Sequence, residues 1–429
     1  MEGPMTNDGE THRDTAVVIV GCGIHGTTLA VRLLAETDLT TDDIRIVDEH
    51  GEPLAAFEAK ARRCGMETLR STFVQHVSPE PFSLESFAEG RDREHELVPT
   101  RNYPPRPTLS LFLDHAQFVV DQHNLTESVV EARMTNVTRR DDGVTVETTG
   151  GSFDAGSLVL AIGMGGEYTW PTWADPISDN ERIQHVWNES FSPTETTASG
   201  ESLVVGGGIT AGQVVATLAE RGGSVTLCHR TPIETAESEA NPCWINWRHV
   251  ERELHCYPPG SERRYRTVQQ ARNDGTIPPY LFDEIKDLER HTHLDCRHGT
   301  IETVAPVTDG LLVRFGDGTS RTVARILLAT GFESPFDSPM AARIASWLDL
   351  ERGYCNVPVL NDETLAWQRR EGEGSQVYVT GALAEGTVGP LARNVVGAKR
   401  AGERIATTFD GGKGDEYGRS TPGRSLADD

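Results

Sequence analysis

The chain of 429 residues carries 65 acidic against 40 basic side chains, a formal net charge of −25, and is 37% hydrophobic. That charge excludes nucleic acid and anionic membrane surfaces as partners, since both would repel it. Length and apolar content predict two folded domains with separate cores rather than a disordered chain.

No apolar run approaches the roughly 18 residues that would span a bilayer, and the opening MEGPMTNDGETHRD is acidic and polar, unlike a secretion signal. The seven cysteines, Cys22, Cys64, Cys228, Cys243, Cys256, Cys296 and Cys355, form no CxxC pair and fit a reducing compartment. A soluble cytoplasmic protein is the expectation, with monomer and homo-oligomer both open. Lysine occurs only at Lys60, Lys286, Lys399 and Lys413 while acid abounds. This surface suits a high-salt cytoplasm, where short-range screening suppresses self-repulsion, and predicts a halophilic source.

Residues 1–15 lack periodicity and read as a loose tail. The fold is expected to begin at Ala16. The apolar run Val17 to Val20 reads as a buried parallel strand, broken at Gly21, Gly23 and Gly26 in the GxGxxG spacing. Gly21 permits a tight turn, Gly23 lets backbone approach a pyrophosphate, and Gly26 lets the next helix, predicted from about Ile24 to Leu34, sit close on the strand. The N-terminus of that helix, with Ile24 and His25 in its first turn, would face the phosphates. A second strand, Ile44 to Val47, ends in Asp48, about 20 residues past the glycines, where a carboxylate accepts ribose hydroxyls. Glu49 is the alternative acceptor.

An amphipathic helix is predicted at Ala55 to Arg63. The connection after it, GMETLRSTFVQHVSPEPFSLESFAEG, is too long for a turn and well placed to reach the reactive end of a dinucleotide. Its candidate catalytic side chains are Arg70 and His76, against the plainer alternative of a surface arginine and a satisfied histidine. Apolar residues three and four apart predict a helix from Thr108 to His123. Val129 to Thr138 and Val144 to Thr148 form a hairpin around Asp-Asp-Gly, and a strand from Ser157 returns to the sheet at Gly163, another point of close backbone approach.

Residues 164–200 read as a linker, and then the pattern repeats. In SLVVGGGITAGQVVATLAERGGSVTLCHR, Gly206, Gly208 and Ala211 give the GxGxxA variant, with Ile209 and Thr210 opening the helix. TDGLLVRFGDGTSRTVARILLATG, ending at Thr330 and Gly331, matches DDGVTVETTGGSFDAGSLVLAIG of the first half. A repeat of this kind is far more specific than either glycine motif alone. The predicted fold is α/β, with two Rossmann-like dinucleotide-binding domains that each carry a β-hairpin or meander.

The second strand of the repeat, Val225 to Cys228, ends at His229 and Arg230 instead of a carboxylate. Arg230 lies about 20 residues past Ala211, where a base suits the 2′-phosphate of NADPH; an ordinary exposed arginine at a strand end is the alternative. An insertion, Thr231 to about His298, is expected to shape a substrate or lid surface. Its His291, His293, Cys296 and His298 do not converge as metal ligands, because strand alternation splits them between two faces. The last block, QVYVTGALAEGTVGPLARNVVGAKRAGERI, has a strand from Val377 to Thr380 meeting Gly381 and a helix expected to start near Pro390. Its N-terminus, with Gly389, Pro390 and Leu391, would point at a flavin ring and favour negative charge by about 0.3 to 1 kcal/mol; a plain closing strand and helix is the alternative. The Gly-rich, charged tail from Asp410 to Asp429 reads as disordered.

The order of these blocks resembles the flavoprotein superfamily with two dinucleotide domains. GMETLRSTFVQHVSPEPFSL, VVGGGITAGQ, LLATGF and VTGALAEGTVGPLARNVVGAKRA look like its lysine/ornithine N-monooxygenase-like branch. The resemblance implies FAD in a split domain, residues 16–165 and 331–409, held by Gly21, Gly23, Gly26 and Asp48. It implies NADPH in an inserted domain, residues 166–330, held by Gly206, Gly208, Ala211 and Arg230. It also implies hydride transfer to the flavin and delivery of an oxygen atom from O2 to a small nucleophilic substrate. Two departures stand out: His185 lacks the FxG that precedes it in related Baeyer–Villiger enzymes, and no CxxC lies beside the flavin for disulfide reduction. The alternatives are an NADPH-dependent flavin reductase or dehydrogenase serving a quinone or carrier, and a non-catalytic flavin redox sensor.

Overall fold

Unbroken runs of valine, isoleucine and leucine build strands buried on both faces, and the structure gathers them into two parallel sheets. The computed structural model describes residues 13–193, 200–372 and 374–409. The tail expected at residues 1–15 lies outside this range up to His12, and the first strand, Arg13–Val20, starts three residues before Ala16. The tail expected at Asp410 to Asp429 also lies outside the described residues.

The first sheet carries, in order, Val129–Glu131, Ile44–Asp48, Arg13–Val20 and Gly151–Leu160, all parallel, with Val377–Val379 beside the last. Gly151–Leu160 has two roles. Its first half pairs antiparallel with Val144–Thr148 in a meander, while Leu158 to Leu160 pair with Val377 to Val379. The expected hairpin arm from Val129 to Thr138 is therefore two strands, because Val129–Glu131 joins the edge of the parallel sheet and only Met134–Arg139 pairs with Val144–Thr148. Helices Ile24–Glu36 and Val395–Thr407 pack against each other, and Gly402 comes close to the aliphatic stem of Arg32.

The second sheet runs Leu294–His298, Val225–His229, Ser202–Val205, Arg325–Leu328 and Ile183–His185, again all parallel. Two expectations change here. The linker of residues 164–200 contributes the edge strand Ile183–His185, whose His185 is buried and stacked 4.7 Å from Tyr168. The insertion closes earlier than His298, because Leu294–His298 is a sheet strand and helix Pro279–His291 packs on Ile209–Glu220 through Leu281 and Ile285 at Gly212. Two apolar clusters fill this half, and Cys64 of the first half joins one of them.

The chain passes between the sheets twice, and the two crossings lie side by side. Thr169 N–H donates to the Gly331 carbonyl (3.1 Å) and Glu333 N–H to Glu167 (3.0 Å). Positive φ at Gly163, Gly165, Gly166 and Gly331 lets both crossings bend there.

Candidate functional site

Each parallel sheet ends in a glycine turn, and packing explains some of these glycines but not others. Gly21 has φ +102°, and an added Cβ would lie 2.5 Å from the Ala161 carbonyl oxygen. At Gly26 a Cβ would lie 1.8 Å from the Gly21 carbonyl oxygen, so any side chain would force helix and strand apart. At Gly23 a Cβ would meet nothing within 4 Å. This glycine is required by no protein neighbour and leaves the turn open to a ligand.

Helix Ile24–Glu36 begins without a side-chain cap and without an acidic residue in its first turn. Its first N–H groups, including those of Ile24 and His25, are thus left for an anion. The Cys22 N–H donates to Asp48 Oδ2 at 2.7 Å and the His50 N–H to Oδ1 at 2.9 Å, which fixes the carboxylate against the turn. Glu49 points elsewhere: it is exposed and paired with Arg133 at 2.5 Å. Open glycine, uncapped helix and adjacent acid fit the pyrophosphate and ribose of an FAD.

The second turn repeats the logic. A Cβ on Gly206 would lie 2.5 Å from the Ala329 carbonyl oxygen, and Ala211 is fully buried. Helix Ile209–Glu220 also starts uncapped and without acid, so the N–H groups of Ile209, Thr210 and Ala211 are available. His229 is buried, with Nδ1 2.8 Å from the Thr231 carbonyl oxygen and its ring stacked on His298. Arg230 next to it is exposed and makes no ion pair among the described residues.

Thr330 and Gly331 serve the crossing, where the Thr330 hydroxyl donates to the Thr169 carbonyl. Gly163 is exposed at φ +60°, with nothing within 4 Å of an added Cβ. Gly381, at φ +73°, lies against the His25 ring, whose Nδ1 is 2.8 Å from Thr380 Oγ1. Burial pushes the His25 imidazole down to about 4, so it is neutral where the glycine turn meets the last block.

The helix expected from Pro390 starts instead at Val395, with Asn394 at its N-cap position and no side-chain capping bond. A four-residue helix, Glu385–Val388, ends at Gly389, where φ +94° turns the chain against Trp244. Gly389, Pro390 and Leu391 are consequently buried in successive turns and present no helix N-terminus to a ligand. The proline had the residue type of a helix start, but the left-handed glycine before it and the bonds from Ala392 to Gly389 and from Asn394 to Leu391 delay the helix.

The two catalytic candidates also sit differently from the expectation. Arg70 Nη2 donates to the Ala236 carbonyl (2.7 Å) and to Thr276 Oγ1 (2.8 Å), so the guanidinium fastens its segment to the insertion. His76 has no exposed surface; its ring lies edge-on to His115 at 5.2 Å, beside the Ser78 backbone, with neither nitrogen completing a well-formed hydrogen bond. Burial, then the nearby Lys399 charge, push it down to about 3. An interior neutral ring is not placed for acid–base work at an open site.

The insertion spans both halves. Trp244, Val250, Leu254 and Val268 form an apolar cluster with Leu391 and Val396. Arg264 pairs with Asp362 through bonds of 2.6 and 2.7 Å, and Arg106 with Glu237. A cleft of about 550 Å³ opens beside this contact, lined by Tyr103, Glu237, Asn241, Trp244, Gln270 and Asn273. A larger cleft of about 670 Å³ lies between Arg62, Arg63, Glu220 and Arg221, at the far end of the second glycine-turn helix and away from both turns. The smaller one is the better substrate candidate, because its walls come from the insertion that reaches the last block.

Thr380, Arg272, Glu385 and Arg393 were not legible as site residues. Each meets its partners across more than a hundred positions or inside an irregular loop, where periodicity carries no signal.

Two glycine turns on two parallel sheets, joined by paired crossings, define a two-domain dinucleotide-binding protein. Residues 18–165 match the FAD-NAD(P)-binding family. None of the curated proteins is similar enough in sequence to count as a match. Among solved structures, the chain is similar to the ornithine N-hydroxylase of Kutzneria sp. 744 with reduced FAD, NADP+ and L-ornithine, at 15% identity, TM-score 0.71, and coverage of 92% of this chain and 99% of that one. It is similar to L-lysine 6-monooxygenase from Pseudomonas syringae at 18% identity and TM-score 0.69, covering 92% and 99%. It is also similar to bacillithiol disulfide reductase from Staphylococcus aureus at 15% identity and TM-score 0.61, covering 92% and 98%. The chain has the fold of these flavoproteins over nearly its whole length.

Proposed function

We propose that the protein is an FAD-dependent, NADPH-using monooxygenase that hydroxylates a small molecule, with nitrogen as the favoured acceptor. The observation that carries this reading is the pair of uncapped glycine turns with different second-strand ends, Asp48 on one and the exposed Arg230, with no ion pair among the described residues, on the other. A carboxylate suits two ribose hydroxyls, and a guanidinium suits a 2′-phosphate through two parallel hydrogen bonds. The closer overall match to amine hydroxylases than to disulfide reductases supports the oxygenase over the reductase.

The chain's own residues then divide the work. Gly21, Gly23 and the first turn of Ile24–Glu36 hold one pyrophosphate, Asp48 the ribose, and Gly206, Gly208 and Arg230 the second nucleotide. FAD, when bound, supplies the hydride acceptor and the reductant for O2. The insertion, anchored by Arg70, Arg106 and Arg264, walls the cleft.

No helix among the described residues is long and apolar enough to cross a membrane, and the acidic, lysine-poor surface supports a cytoplasmic protein from a halophile. The test is oxygen uptake by the FAD-loaded protein in molar KCl with NADPH and a panel of small amines. Uptake matched one-to-one by hydroxylated product supports the proposal. NADPH oxidation that yields only hydrogen peroxide with every amine, but proceeds with a quinone, would transfer it to the reductase class.

A further inference from the structure

The loop Arg272–Thr276 lies where three parts of the molecule meet. Arg272 reaches into the last block, where its Nη1 donates to Glu385 Oε1 (3.1 Å) and to the Pro390 carbonyl (2.9 Å). Gly275 lies beside Gly208 of the second glycine turn, 3.5 Å from where a Cβ on Gly208 would stand. Thr276 accepts from Arg70, which comes from the segment after the first domain's helix Ala55–Arg63. One five-residue loop therefore touches the second nucleotide turn, the block after Thr380, and the segment that follows the first domain's helix Ala55–Arg63.

Glu385 is the fixed point of this junction. Its carboxylate is 1% exposed and takes Arg272 on one oxygen and Arg393 (2.7 and 3.2 Å) on the other. Arg393 in turn approaches the His25 ring through its backbone, at the first glycine turn. A buried carboxylate between two arginines costs desolvation that an apolar contact would avoid, so fixed geometry is what such a network supplies. Hydride transfer needs the two reacting rings within about 3 to 3.5 Å, and a misplacement near 1 Å costs about a hundredfold.

We infer that Arg272 and Glu385 are positioning residues, which hold the second nucleotide's turn in register with the flavin-side block so that the nicotinamide meets the flavin. This rests on the FAD and NADPH assignment above. Neither side chain touches the reacting atoms; each acts through the loop it anchors.

The test uses FAD-loaded protein and the variant Arg272→Met, in which Glu385 keeps its pair with Arg393. The expected result is at least a tenfold slower anaerobic reduction of the flavin at saturating NADPH, with FAD content and light-driven reduction by EDTA and a deazaflavin unchanged. Arg272→Lys, which keeps the charge and one contact, recovers part of the rate. Should Arg272→Met not fold, Glu385→Gln, which leaves an amide oxygen for the arginines, is read the same way. Variants that fold but are reduced at the wild-type rate, with only a lowered Tm, overturn the inference and leave the network purely structural. Wild-type protein that NADPH cannot reduce overturns the nucleotide assignment itself and this inference with it.

Discussion

Arg264 of the insertion and Asp362 of the first domain's return segment face each other through two parallel bonds of 2.6 and 2.7 Å, with the arginine side chain 1% exposed. This pair ties residues otherwise about a hundred positions apart and closes the insertion over the first domain. Removing one partner strands a buried guanidinium. Asp362→Ala is expected to cost about 3 kcal/mol, at the low end for a buried pair because Asp362 keeps some solvent contact. Denaturant titration in constant high salt measures it, and a loss below about 0.5 kcal/mol would show that the pair contributes little.

The first glycine turn separates packing from ligand binding. Gly26→Ala places a methyl on the Gly21 carbonyl and is expected to destabilise by about 1 to 3 kcal/mol or more. Gly23→Ala meets no protein atom, so the apoprotein should melt as the wild type does while FAD affinity falls about tenfold or more, near 1.4 kcal/mol. Thermal melting with and without added FAD distinguishes the two. Equal FAD binding by Gly23→Ala would mean that no phosphate approaches there.

Arg230 is expected to set nucleotide preference. A charge-assisted bond contributes about 1.5 to 3 kcal/mol, so Arg230→Ala should lower the preference for NADPH over NADH by roughly ten- to a hundredfold. The comparison is kcat/KM with each nucleotide. An unchanged ratio removes Arg230 from the site.

Acid should unfold the protein early. Burial pushes the imidazoles of His25, His115 and His185 down to about 4 and that of His76 to about 3, against an ordinary value of 6.5. As pH falls below 6.5 the unfolded chain gains protons that the folded one refuses, so stability is lost down to about pH 4, by up to about 1.4 kcal/mol per pH unit for each ring. Glu284 works the other way: burial raises it to about 7, so between 7 and 4.5 the folded form holds the extra proton and offsets part of the loss. Denaturation midpoints across pH 7 to 4.5 should fall steadily, and His115→Gln, which still reaches Ser83, should flatten the slope. A flat profile in the wild type would contradict neutral buried rings.

Salt dependence tests the surface charge. With a net charge of −25, self-repulsion should grow as the screening length rises from about 3 Å at 1 M to about 30 Å at 0.01 M. Tm is expected to drop on dialysis from molar KCl into dilute buffer. Full activity and unchanged Tm in dilute buffer would refute the halophilic reading.

What the sequence determined by itself was local and periodic. The runs at Val17 and Leu203, the glycine spacings, the helix Ala55–Arg63 and the terminal Asp48 and Arg230 were legible because each element is specified by neighbours a few residues away. The repeat of these elements disclosed two sheets. Tertiary structure decided what depends on distant partners. It split the arm after Val129 between two sheet edges, drew Ile183–His185 out of the linker, and moved the last helix from Pro390 to Val395. It turned Arg70 toward Thr276 and buried His76, because a side chain's surroundings come from segments that spacing along the chain cannot see.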